Sequence, residues 1–184
     1  EPPSPSAVGP LPGPGERVPE GPLVRPDFHS KLAEGVLVFD GAMGTQLYER
    51  GIHLGRCVDA LNLEDPDLIR QVHRGYRDAG AQVLQTNTFG ANAFKLGTHH
   101  LAEQLVEINQ RGAQLAREIA GDDRLVAGSR GPLGIKLEPW GPTSREEVRE
   151  AFRRQAGALL EGGVDLFALE TFGSPEELSE AVRG

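Results

Sequence analysis

The chain has 184 residues, 38% hydrophobic and 25% charged, the composition of one globular domain with a sizeable core. Its 27 acidic residues outnumber 19 basic ones for a net charge of −8, and no dense basic run exists, which argues against nucleic-acid and anionic-membrane partners. No stretch has the length of an apolar membrane span or the build of a signal peptide; Cys57 is the lone cysteine, which excludes an intrachain disulfide and points to a reducing cytoplasm.

Residues 1–26 hold nine of the 14 prolines without a hydrophobic period of 2 or 3.6, and read as a disordered Pro-rich tail rather than a polyproline ligand. The folded domain is assigned to residues 27–184, with Leu32 and Ala33 leading from Phe28 into a first strand. Four apolar runs, marked by Val36, Val83, Val126 and Leu166, are spaced 47, 43 and 40 residues apart, and each ends in small and polar residues. That spacing predicts consecutive strand–loop–helix units of a parallel sheet.

The crossover helices carry their own start signals. Asp65-Pro66 places a capping carboxylate before a proline at the first helical position, and Leu68, Val72, Tyr76 and Ala79 then share a face. Leu101, Leu105, Ile108, Leu115 and Ile119 predict a second helix ending at Gly121. Ser144 with Glu147 forms a capping box ahead of Val148, Phe152, Leu159 and Gly162. Ser174-Pro175-Glu176-Glu177 repeats that logic for a fourth helix, with Leu178, Ala181 and Val182 expected inward. The chain begins at Glu1 and stops at Gly184, early in this helix, so it is expected to be a fragment. Four such units fit half of an eight-stranded α/β barrel or a doubly wound open sheet.

In either architecture chemistry collects at strand ends. Asp40 and Glu170 directly follow apolar runs, so both carboxylates are expected at one rim, able to hold an ammonium group. Glycine beside Asp40 lets backbone N–H groups approach an anion, a pairing that suits an amino-acid zwitterion. Acid–base catalysis by the same two carboxylates is the competing use, and turn or helix capping is the structural one. Thr86-Asn87-Thr88-Phe89-Gly90 offers two hydroxyls and an amide in one loop, and Arg130 is a candidate for a substrate carboxylate. Asp40-Gly41-Ala42-Met43-Gly44-Thr45 matches no phosphate-loop pattern, and the histidines lack zinc-protease spacing.

Asp40-Gly41-Ala42-Met43-Gly44-Thr45, Leu61-Asn62-Leu63, Gln85-Thr86-Asn87-Thr88-Phe89-Gly90, Gly131-Pro132-Leu133-Gly134 and Glu170-Thr171-Phe172, in that order, resemble the homocysteine S-methyltransferase domain from about Val36 onward. The resemblance implies a (β/α)8 TIM barrel, incomplete here with about its first four βα units, that binds homocysteine at the strand ends. It implies that zinc activates the substrate sulfur for attack on a methyl donor, folate- or cobalamin-linked, to give methionine. It places Asp40 and the backbone of Gly41 and Ala42 on the amino-acid part of homocysteine, Thr86 beside it and Glu170 on its ammonium. The zinc cysteines of the family belong to later strands, so they are expected beyond Gly184, and Cys57 does not match them.

Leu137-Glu138-Pro139-Trp140-Gly141 and residues 159–167 look most like bacterial proteins that join this domain to a C-terminal methylenetetrahydrofolate reductase. Two positions depart from the family pattern. Gly90 stands where betaine-using relatives carry a tyrosine, which makes betaine the least expected donor, and Arg130 replaces an aliphatic residue. The alternatives to the methyltransferase are a non-catalytic amino-acid-binding or interaction module, and another α/β-barrel enzyme using Asp40 and Glu170 as acid and base.

Overall fold

Asp27 opens the described part of the chain, which in this computed structural model comprises residues 27–53 and 55–184. Its carboxylate accepts from Ser30 N at 2.9 Å and caps α1 (Phe28–Glu34), a helix standing where the sequence suggested a direct run into a strand. The expected tail, residues 1–26, lies outside the described residues.

Three strands pair in parallel and in chain order, β1 (Val83–Gln85), β2 (Leu125–Arg130) and β3 (Leu166–Leu169). The fourth expected strand, around Val36, is reduced to a single parallel bridge between Phe39 and Val83. Val38 O accepts from Gln82 N and Val83 N, but Val38 N donates to the Gln82 side chain at 3.0 Å instead of to a neighbouring strand. Val36 and Val38 are 86% and 52% exposed, so this edge is packed on one side only.

The remaining helices are α2 (Met43–Glu49), α3 (Leu61–Glu64), α4 (Pro66–Asp78), α5 (Ala93–Gly97), α6 (Leu105–Ala120), α7 (Arg145–Gly162) and α8 (Pro175–Arg183). Alternation along the strands divides the sheet into two apolar faces. Leu84 and Val126 pack with Ala113, Ala116, Ile119 and Leu159 of α6 and α7. On the opposite face Val83, Leu125 and Ala127 meet Phe28, Leu37, Phe39, Leu166 and Ala168. All six residues of β2 are therefore buried.

The helix starts follow their sequence signals. Asp65 accepts from Leu68 N ahead of Pro66, and both halves of the Ser144–Glu147 capping box are formed. The buried face of α4 is rotated from the expected one, with Ile69, Val72 and His73 inside and Ala79 exposed. Burial lowers the pKa of His73 to about 4, which keeps the imidazole neutral where an ion would lack water.

At α8 the hydrophobic pattern misplaces the inner face. Leu178 and Val182 are exposed, while Glu177, Glu180 and Ala181 are buried. Glu177 does not close a capping box; its carboxylate accepts from Leu133 N at 2.7 Å. Glu180 accepts from Arg149 at 2.8 Å and Arg183 at 3.1 Å, with Arg145 at 3.8 Å. Charge pairing, invisible to an apolar count, fixes how this helix docks. Among the described residues no helix is long and apolar enough to cross a membrane.

Candidate functional site

Asp40 follows the Phe39 bridge, and its position is fixed by a hydrogen bond from Gln85 N to Oδ2 at 2.9 Å. The other oxygen, Oδ1, is buried without a partner. Burial raises the Asp40 pKa to about 7; Gln85 N–H pulls it down, and the Glu170 carboxylate adds a further upward push. The next residues, Gly41 and Ala42, lead into α2, and Tyr76 of α4 holds them by donating its hydroxyl to Ala42 O at 2.9 Å.

The loop after β1 is fastened by side-chain amides. Asn62 donates to Asn87 O and Ile108 O at 2.8 and 3.1 Å, while Asn87 donates to Val58 O at 2.8 Å. Gln155 of α7 donates to Thr88 O, and Asn109 of α6 donates to Ala91 O. These buried amides take the carbonyls of a segment that turns too sharply for ladder partners.

A ring of hydroxyl contacts joins this loop to β2. Ser129 N donates to Thr86 Oγ1 at 3.0 Å, and Thr88 Oγ1 donates to Ser129 O at 2.8 Å. A hydroxyl has one proton, so in the 2.5 Å contact between the two threonines Thr86 is the donor. Ser129 Oγ completes the set by donating to Glu170 Oε1 at 2.6 Å. Glu170 directly follows β3, and the next residue, Thr171, has a left-handed backbone with φ of 63°.

These three strand ends enclose a cleft of about 500 Å³. All five residues singled out from the sequence, Asp40, Gly41, Ala42, Thr86 and Glu170, line it. Thr86 enters with its hydroxyl already used by Ser129 and Thr88, so it shapes the wall instead of offering a free donor. Asp59 and Phe89 also line the cleft. Nothing in its own neighbourhood marked Asp59, which sits at the centre of a short 3-10 helix, Val58–Ala60. Its carboxylate is buried, which raises its pKa, and accepts from Gly90 N at 2.9 Å.

Arg130 does not reach this cleft. Strand alternation turns Ser129 toward it and Arg130 to the helix side, where the guanidinium donates to Phe152 O at 2.7 Å and lies 5.2 Å from the Phe152 and Phe167 rings. Burial without a carboxylate partner lowers its pKa to about 10. Its expected role toward a substrate carboxylate is therefore withdrawn.

The donors present do not make a zinc site. Among the described residues no three His, Cys, Asp or Glu side chains converge. Cys57 is half-buried, its thiol pKa is raised by burial and by Asp59, and its contact is Asp59 Oδ2 at 3.9 Å.

Comparison with known proteins gives a consistent picture. Over 170 residues the chain is 38% identical to methionine synthase of Mycobacterium leprae and 36% identical to that of Mycobacterium tuberculosis, covering 86% of this chain. It spans 14% of the length of each of these relatives. Among solved structures, the homocysteine methyltransferase MmuM from Escherichia coli superposes with a TM-score of 0.72 in its metallated form at 31% identity, covering 84% of this chain and 60% of that one. The oxidized form gives 0.70 at 32% identity, over 80% and 57%. The model of the homocysteine S-methyltransferase family matches residues 37–183, and with this match over most of its length the chain belongs to that family.

Proposed function

We propose that this domain binds homocysteine as the methyl acceptor of a homocysteine S-methyltransferase that forms methionine. Asp40 and Glu170 take its ammonium, the backbone of Gly41 and Ala42 takes its carboxylate, and Thr86 lies beside it. The observation that carries this reading is the charge of the cleft. Asp40 and Glu170 both face it, each with one oxygen engaged by the protein and one left over, and no Lys, Arg or His is among its lining residues. An ammonium ion answers that surplus of acceptors, and its charge lets Asp40 ionise.

The zinc, the folate- or cobalamin-linked methyl donor and a C-terminal methylenetetrahydrofolate reductase domain are parts of the proposal that rest on family resemblance. The metallated form of MmuM supports the first of them. The described residues assemble no such metal site. Residues 27–184 are proposed to be the N-terminal half of a (β/α)8 barrel; the parallel strands in chain order support this.

Titration calorimetry of the intact protein with homocysteine tests the reading. Glu170→Ala is expected to weaken binding by roughly 1.5–3 kcal/mol, the scale of a charge-assisted hydrogen bond. Unchanged affinity removes Glu170 from the substrate site. The Asp40 pKa near 7 favours a second reading, an acid–base enzyme on the same fold, and this is the reading to adopt if the intact protein binds no homocysteine.

A further inference from the structure

The lining of the cleft also contains a carboxylate, Asp59, that the substrate reading does not use. Asp59 is 6% exposed, and no cation lies within ion-pair distance of it among the described residues. Its Oδ1 accepts the Gly90 N–H, and its Oδ2 lies where a side chain at position 90 would begin, 2.7 Å from an ideal Cβ. Both oxygens therefore address one glycine. The flanking residues reinforce the same segment: Val58 O accepts from Asn87, and Asn62 donates to Asn87 O. On its far side the loop is tied to β2 through Gly131 N, which donates to Phe89 O at 3.0 Å.

The Thr86 end of the loop is fixed on β2 by Thr86 N, which donates to Ala127 O at 2.9 Å, and by the Ser129 contacts, so the Asp59 bond holds the other end, where Phe89 and Gly90 line the cleft. Asp59 is the acceptor of the Gly90 N–H, and without it Gly90 would lose its tie to the Val58–Ala60 turn and that part of the cleft wall would be free to shift. A buried carboxylate is costly, and here one backbone N–H, a weak thiol contact and the more distant charge of Lys95 oppose that cost. We propose that Asp59 is a positioning residue for homocysteine binding, acting through the Gly90 N–H to hold the Phe89–Gly90 end of the 86–90 loop in the wall of the cleft that the two ammonium-binding carboxylates face.

This inference rests on the homocysteine reading, so its test carries one readout that does not. Asp59→Asn keeps the shape and an oxygen able to accept from Gly90 N–H, whereas Asp59→Ala loses both. In the intact protein, Asp59→Ala is expected to weaken homocysteine binding by roughly tenfold or more and to speed hydrogen exchange of the Gly90 amide by a similar factor. Asp59→Asn is expected to keep both within about threefold of the parent, on the scale where a neutral acceptor replaces a charged one. If Asp59→Asn weakens binding as much as Asp59→Ala while the Gly90 amide stays protected, the carboxylate meets the ligand directly and the positioning role is overturned. It is also overturned if neither variant changes the exchange of Gly90. Absence of homocysteine binding in the parent refutes the substrate reading instead, and the amide exchange then still decides whether Asp59 holds the loop.

Discussion

Asp40 carries a charge that its surroundings oppose, since burial and the nearby Glu170 raise its pKa from 3.8 to about 7 against the pull of the Gln85 N–H. The folded state therefore holds the proton more tightly than the unfolded state between about pH 4 and 7, and stability falls as pH rises through that window. Asp40→Asn is expected to raise stability at pH 8 by on the order of 1–2 kcal/mol, after discounting for partial exposure, and to converge on the parent near pH 4. Melting temperatures at the two pH values check this, and a gain of equal size at both would show that Asp40 is not the titrating group. Arg130 poses the same problem with opposite sign, a buried cation with one carbonyl and two rings for company. Arg130→Met is expected to be neutral or to stabilise by about 1–4 kcal/mol in urea unfolding, because it keeps the volume and removes the desolvated charge. A loss of stability would reveal a partner for the guanidinium. The sequence made Asp40 and Glu170 legible because each is a carboxylate directly after an apolar run, whereas Thr86, which follows the polar Gln85, was legible through the family resemblance of its loop. It misled at Arg130 because the strand parity went unread: Leu125, Ala127 and Ser129 share one face, which puts Arg130 on the other.

The elements were legible where a local signal decides them. Pro66 and the Ser144–Glu147 box start α4 and α7 where the sequence places them, since capping involves only residues three apart. The first strand and the face of α8 were not, because distant partners decide both: Gln82 substitutes for a ladder neighbour at Val38, and Arg149 draws Glu180 inward. The amides of Asn62, Asn109 and Gln155 were missed as site-builders for the same reason, being scattered along the chain on three helices that converge on one loop. Helix α7 also contains two glycines with opposite expectations. A Cβ at Gly162 would lie 2.5 Å from Ala113 Cβ and 2.9 Å from Gln110 O, so close approach of α6 and α7 requires the glycine. Gly157 is exposed and a Cβ there meets nothing within 4 Å. Chemical denaturation is expected to show Gly162→Ala destabilised by about 1–3 kcal/mol through overpacking and Gly157→Ala stabilised by about 0.5–1 kcal/mol through helix propensity. The same sign for both would mean that packing between the two helices is looser than these distances imply.

At the scale of the whole molecule, the sheet has two exposed edges and a half-covered face. Beyond β3 no further strand pairs among the described residues, and all four of its residues are only partly buried. At the other edge Phe39 makes a single bridge and Val36 and Val38 face solvent. The face built from Val83, Leu125 and Ala127 is flanked by Phe39, Leu166 and Ala168, each still partly open to water. Unpaired strand edges beside apolar surface are templates for association, and a net charge of −8 opposes contact without supplying the missing hydrogen bonds. A polypeptide of residues 1–184 is therefore expected to associate as its concentration rises. Light scattering across a concentration series, at low and at moderate salt, checks this, and screening of the charge should increase the association. A monomer that melts cooperatively at every concentration would mean that these edges are covered by the chain itself, and would remove the half-barrel assignment along with the expected association.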